Sequence, residues 1–314
     1  MGRSIILGVV GDSAAGKTTL TRGLVRVLGE ENVTHVCVDD YHRYDRKQRA
    51  ERNITPLHPE CNYMDIMAQQ LAHMRSAEAF LKPVYQHKDG TFGPLVRLEP
   101  NKFSVVEGLL GYYNDELRRL FDVRIYLAPP EELRRKWKVQ RDCSKRGYTT
   151  DQVLSDLDRR EPDSEAFIRP QQKYADIVVS FLPNDSGDQE QLDAELILRP
   201  TLRHPDFAAV LNGDADSSDG IRITEVDGDV HLFIPGRLER ARAEAIEEMI
   251  WEKLHFASHL RSERLGEFTI GTDLHRSESL AIIQLLILYH IFTATASAAL
   301  EGVGNRVEHE VAVA

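Results

Sequence analysis

Residues 11–18 read "GDSAAGKT", directly after the apolar run "SIILGVV" (4–10) and leading straight into "KTTLTRGLVRVLG" (17–29). The octapeptide fits the phosphate-loop pattern G-x-x-x-x-G-K-[ST], which needs a strand before it and a helix after it. Both are present. A continuous β-branched run without alternation suits a central parallel strand covered on both faces. Leu20, Leu24, Val25 and Leu28 recur at helical spacing and stop at Gly29, where a helix would end. In such a loop the backbone N–H groups of Ser13 to Lys17 cradle phosphates beside the positive end of the helix. Lys17 bridges the outer phosphates and Thr18 ligates Mg²⁺.

Further strands are expected at "VTHVCVDD" (33–40), "KFSVVEG" (102–108), "DVRIYLAP" (122–129) and "ADIVVSFL" (175–182), with helical patterns between them. That order predicts an α/β fold, a mostly parallel P-loop-type sheet flanked by helices joined through right-handed crossovers. "PNDSGDQEQ" (183–191) reads as a polar loop, and a kinase-sized core is expected over 1–200. Beyond it, "IRITEVDGDVHLFI" (221–234) carries an Asp-Gly pair between two alternating runs, the mark of a tight hairpin. "GRLERARAEAIEEMIWEKLHFASHL" (236–260) reads as one long amphipathic helix, and the tail "EHEVAVA" as frayed. Residues 201–314 are therefore expected to form an α+β extension docked on the core.

The chain has 314 residues, 42% of them apolar, with 50 acidic against 39 basic side chains and a net charge of −11. This balance argues against a non-specific grip on nucleic acid or on an anionic membrane. Cys37, Cys61 and Cys143 offer neither a disulfide framework nor a metal-ligand spacing, so a reducing cytoplasm is the expected compartment. "MGRSIILGVVG" has too short an apolar run for a signal peptide. "LAIIQLLILYHIFTATASAAL" (280–300) is long enough to span a bilayer, but Gln284 and His290 inside it favour a buried or dimer-interface helix.

The rest of the chain narrows the chemistry. No N-K-x-D follows for guanine, since Asn101-Lys102 continues with Phe and Ser, which weakens a GTPase reading. "FSVVEGL" ends in a single Glu107 where an ATPase motor would show an Asp-Glu pair. Asp39 and Asp40 end the strand "VTHVCVDD", at the carboxyl edge where ligands gather in parallel sheets. One of them is placed to accept the hydroxyl proton in phosphoryl transfer to an alcohol. Arg43, Arg46, Arg49 and Arg52, with Lys47, follow at once. Some would form a solvated helix face, and the others would suit an acceptor that already carries a phosphate. In "WKVQRDCSKRGYT" (137–149), Arg141, Asp142, Lys145 and Arg146 lie on a segment that could close over ATP.

Taken in order, "GDSAAGKTT", "CVDDYHRYDR", "KPVYQHKDGTF", "VVEGL", "WKVQRDCSKRGYT" and "PQQKYADIVV" resemble the phosphoribulokinases of the uridine kinase-like P-loop kinases. The resemblance covers about 4–182 and is looser beyond, where it is closer to the plant and cyanobacterial branch. It implies ATP-dependent phosphorylation of ribulose 5-phosphate at O1 with Mg²⁺, in a homodimer. By matching positions it makes Asp39 the general base, with Lys17 and Arg141 assisting. ATP would be held by Gly11, Asp12, Ser13, Ala14, Ala15, Gly16, Lys17, Thr18 and Thr19. The sugar phosphate would meet His42, Arg46, Arg49, Tyr85, His87, Asp142 and Arg146, and the metal would meet Thr18 and Glu107. Two departures stand out. The family's usual histidine after Glu-Gly-Leu is Leu110, and the P-loop cysteine of the plant branch is Ala15. Cys37 therefore lacks its redox partner, and with no cysteine after Cys143, thioredoxin control is not expected. The alternatives are a kinase for another small alcohol such as uridine, or a nucleotide-binding regulator that has lost transfer.

Overall fold

The computed structural model describes residues 3–184, 190–206, 220–254, 257, 260, 262, 264–270 and 273–313. The strands are β1 (Ile5–Gly11), β2 (Val33–Cys37), β3 (Phe80–Lys82), β4 (Tyr85–Gln86), β5 (Thr91–Phe92), β6 (Val96–Leu98) and β7 (Phe103–Gly108). They continue as β8 (Val123–Leu127), β9 (Ile177–Leu182), β10 (Asp193–Leu198), β11 (Arg222–Val226), β12 (Asp229–Ile234), β13 (Glu267–Ile270) and β14 (Asp273–Arg276). The helices are α1 (Lys17–Leu28), α2 (Arg46–Glu51), α3 (Met64–Arg75), α4 (Asp115–Arg118), α5 (Glu131–Arg146), α6 (Thr150–Asp163), α7 (Arg240–Lys253) and α8 (Glu278–Val313).

Eight strands make one mixed sheet in the order β2-β7-β1-β8-β9-β10-β12-β11. The first five in that order run parallel, and β10, β12 and β11 are added antiparallel. The mostly parallel α/β sheet expected from the sequence is thus present. β1 is buried along its whole length, as its uninterrupted apolar run requires. The hairpin β11–β12 joins this same sheet through β10, whose inward residues Ala194, Leu196 and Leu198 alternate with half-buried ones.

Three elements depart from the sequence reading. β2 stops at Cys37, and Val38–Tyr41 form a 3₁₀ turn. Both Val38 and Tyr41 are buried, and a three-residue turn brings i and i+3 onto one side. Asp39 and Asp40 are thereby lifted to the rim. The long helix expected over 236–260 is α7, fourteen residues long, with 255, 256, 258 and 259 outside the described residues. The tail expected to fray continues the helical backbone of α8 to Val313. Of the loop at 183–191, residues 185–189 lie outside the described residues.

α8 holds the one described stretch apolar and long enough to cross a membrane, Glu278–Leu300, yet 72% of its most apolar window is buried in the protein. It packs on α1, β1, β8 and β10, and Leu280 to Phe292 share a core with Val9 and Leu20. Its polar residues have structural partners. Gln284 accepts from the Gly266 N–H at 2.8 Å and donates to the Leu20 carbonyl at 3.2 Å. His290 lies 3.1 Å from the ring nitrogen of His204. Gln284→Leu leaves a buried N–H and carbonyl without their partner, and is expected to cost about 1–3 kcal/mol. Urea unfolding checks this, as a lower midpoint at unchanged slope.

Candidate active site

The strand-to-helix junction is shaped by steric necessity at two glycines. A Cβ on Gly11 would sit 2.6 Å from the Leu127 carbonyl oxygen, and Gly16 takes φ +95°, which only glycine adopts at low cost. Ala14 is also left-handed at φ +68°, an uncommon state for alanine that turns the loop back on itself. Lys17 Nζ donates to the carbonyls of Gly11 (2.7 Å) and Asp12 (2.8 Å). Burial pulls its pKa down, opposed by Glu107, Asp39 and Asp12. Asp12 turns away: its carboxylate accepts from Ser164 Oγ at 2.6 Å and lies 3.7 Å from Arg169. Ser164 opens a π turn, Ser164–Ile168, just after Pro162 near the end of α6. A helix irregularity therefore clamps the phosphate loop.

Glu107, near the end of β7, accepts from the hydroxyls of Thr18 and Thr21 at 3.1 Å each, and His35 stands 3.4 Å away. Burial raises its pKa, but His35, Lys17 and Thr18 outweigh burial and leave it below the usual value. An ionised carboxylate beside a threonine hydroxyl is an all-oxygen donor pair, which suits Mg²⁺. The residues present fit that ion.

Across the cleft, Asp39 and Asp40 have diverged. Asp40 accepts from Lys82 and from the Tyr85 N–H (2.8 Å), so it ties the end of β3 to the start of β4. Asp39 stays 26% exposed, with His87 at 3.7 Å. Burial raises its pKa, yet His42, His87, Lys17 and Arg160 lower it further than burial lifts it. It is a carboxylate at neutral pH. His42 is buried and its pKa is lowered by burial. Its Nδ1 lies 2.7 Å from Asn62 Oδ1, and the Asn62 amide donates to the carbonyls of Pro56 and His58. The Asn62 oxygen must then receive the Nδ1 proton, which leaves Nε2 as an acceptor.

Of the five cations after Asp40, two line the cleft. Arg49 is buried, donating to Tyr44 O and to the Tyr85 hydroxyl. Arg46 donates to His87 O at 2.7 Å. Arg43 and Arg52 lie over the rings of Tyr63 and Tyr44, and Lys47 faces Glu51 on the surface. Tyr85 stacks edgewise on both His42 and His87.

Helix α5 supplies the opposite wall. Arg141 reaches Ser13 Oγ at 3.4 Å and bonds Asp142 at 2.8 Å. Asp142 also pairs with Lys138 (2.6 Å) and Arg146 (3.5 Å). Its carboxylate gathers three cations at the cleft. Burial lowers the pKa of Lys138 to about 8. The Lys145 side chain lies outside the described residues.

One cleft of about 960 Å³ joins these groups, from the phosphate loop to Asp39, His42, Arg46, Arg49, Tyr85 and His87, with Arg141, Asp142 and Arg146 between. Thr19 lines it too. Leu110, in place of the histidine the resemblance expects, is buried with Leu57, Leu109 and Ile168. Sequence reasoning missed Lys138, Asn62 and Arg160. The i,i+4 spacing of Lys138 to Asp142 was a usable signal. Arg160 had none in its charged helix "SDLDRREPD". It lines the cleft, pairs with Asp156 at 2.6 Å, and its Nε and Glu161 Oε2 are the buried side-chain atoms without a hydrogen-bond partner among the described residues.

A sequence model of the Phosphoribulokinase / Uridine kinase family matches residues 6–186. The chain is 41% identical over 181 residues to a phosphoribulokinase of Synechocystis, covering 58% of this chain and 54% of that protein. It spans about half the length of that relative. A uridine kinase of Chlamydia pneumoniae is 33% identical over 182 residues, covering 56% of this chain and 81% of the relative. Among solved structures, a phosphoribulokinase from Rhodobacter spheroides superposes with a TM-score of 0.59 at 19% identity, over 82% of this chain and 98% of the other. This last likeness concerns the fold alone.

Proposed function

The chain belongs to the phosphoribulokinase / uridine kinase family, and from that premise we propose that it transfers the γ-phosphoryl group of ATP to O1 of D-ribulose 5-phosphate. The products are ADP and ribulose 1,5-bisphosphate, the Calvin-cycle acceptor of CO₂. One observation carries the reading: a single cleft has the phosphate loop at one end and an ionised Asp39 with two cleft-lining guanidiniums at the other.

Each residue then has a task. The backbone from Gly11 to Thr19 and Lys17 hold the ATP phosphates, and Arg141, steadied by Asp142, neutralises charge on the transferring group. Thr18 and Glu107 would hold Mg²⁺, which screens the phosphate charge. Asp39 takes the proton of the attacking O1 hydroxyl. Arg46 and Arg49 suit the 5-phosphate, and Arg146 adds to that field. A neutral His42 with Nε2 as acceptor suits a sugar hydroxyl better than the phosphate. Tyr85 orients Arg49, His42 and His87 by its hydroxyl and its ring edges.

The likeness to a uridine kinase supports a second reading, in which a nucleoside is the acceptor. A neutral nucleoside has no use for Arg46 and Arg49 in the cleft, which is why the sugar phosphate is preferred. ADP release by purified protein with MgATP separates the readings. Release is expected with ribulose 5-phosphate and not with uridine or without acceptor. Release with uridine alone, or equally without acceptor, would overturn the proposal.

A further inference from the structure

Cys37, at the end of β2, has no part in the chemistry above and no disulfide partner. Its sulfur, a carboxylate oxygen of Asp39 and an imidazole nitrogen of His87 nevertheless all lie within 4.8 Å of one another. Thiolate, carboxylate and neutral imidazole together are the donor set of zinc-type ions. The ligands of such an ion, at about 2.0–2.3 Å from it, need to draw together only slightly further. His87 is held from outside. Arg46 grips its carbonyl and donates its N–H to Gly90 O at 2.8 Å, and Asp40 fixes the Tyr85 N–H at the base of the same hairpin. Two of the donors come from one turn and the third from a braced hairpin, with the remaining side open to the cleft.

We propose that Cys37, Asp39 and His87 form a site for a soft divalent cation of the zinc class, which when filled stops phosphoryl transfer. The metal–sulfur bond forms as the thiol proton leaves to solvent, and the metal takes up the Asp39 lone pair that would receive the substrate proton. No oxidation is involved. The same site discriminates against the working metal. Lys17, Arg141 and Arg160 face this cleft and oppose any dication, so binding rests on bonds to sulfur and nitrogen. Mg²⁺ and Ca²⁺ shun such ligands, and zinc-class ions accept them. The inhibitory consequence rests on Asp39 being the base; the metal site itself does not.

Cobalt(II) titration of the full chain tests the site independently of activity. A sulfur-to-cobalt charge-transfer band is expected, saturating at one equivalent, kept in Cys61→Ala and Cys143→Ala and lost in Cys37→Ala. No band, or an unchanged band in Cys37→Ala, would overturn the site. With saturating MgATP and acceptor, Cys37→Ala should keep wild-type turnover and raise the half-inhibitory zinc concentration at least ~10-fold, since loss of a metal ligand costs no less than loss of its supporting groups. Equal zinc sensitivity in the two proteins, despite a cobalt band in the wild type, would overturn the inhibitory role and leave the kinase reading untouched.

Discussion

Asp39→Asn is expected to lower kcat by roughly 10²–10⁴-fold, the usual contribution of a positioned base, while ATP still binds. The substitution keeps size but replaces one acceptor oxygen with an amide donor and removes the group that can receive a proton. Asp39 is suited to the role by its surroundings. His42 and His87 when protonated, and Lys17 and Arg160 throughout, oppose burial and hold its pKa below the usual value, and it remains partly open to the cleft. Its neighbour Asp40 is not a substitute, because Lys82 and the Tyr85 N–H occupy its oxygens. Asp40→Asn should therefore lower stability by loosening Lys82 before it touches the proton transfer. Single-turnover rates with saturating MgATP, beside nucleotide affinity by calorimetry, make the check. Near-normal turnover in Asp39→Asn would place the base elsewhere.

Lys17→Ala should cost about 10²–10³ in kcat, the typical loss when one preorganised donor to developing charge is removed. The ammonium lies between the Gly11 and Asp12 carbonyls, above a loop whose shape is enforced by Gly11, Ala14 and Gly16. Lys17→Arg should not restore activity, since a planar guanidinium cannot replace a compact point charge held by two carbonyls. A loss of only a few-fold in Lys17→Ala would mean that backbone groups and Arg141 hold the phosphates unaided.

Much of the fold is legible in the sequence. "GDSAAGKT" between a β-branched run and a helical one specified the sheet's centre, because phosphate loops tolerate few alternatives at Gly11 and Gly16. Asp39 and Glu107 were singled out for following or ending an expected strand, Arg141 and Arg49 for lying in basic runs, and the structure brings all four to one cleft. Other features depended on contacts remote in sequence. The break of β2 at Cys37 follows from Val38 and Tyr41 both being buried, which no local period shows. Which arginines face the cleft was decided by Tyr44 within the run and by Tyr63 and Tyr85, brought in from further along the chain. Arg160 reaches the cleft from a helix whose charge pattern reads as solvated. The antiparallel strand β10 carried an alternation at Ala194, Leu196 and Leu198, but only its pairing with β9 and β12 makes it part of the main sheet.

The most direct test is the identity of the product. After incubation with MgATP and ribulose 5-phosphate, phosphorus NMR should show the ATP γ-resonance replaced by a new phosphomonoester on C1 of the same sugar, with ADP formed in equal amount. Inorganic phosphate in its place, or a phosphorylated nucleoside when uridine is supplied and an unchanged sugar phosphate when it is not, would contradict the account.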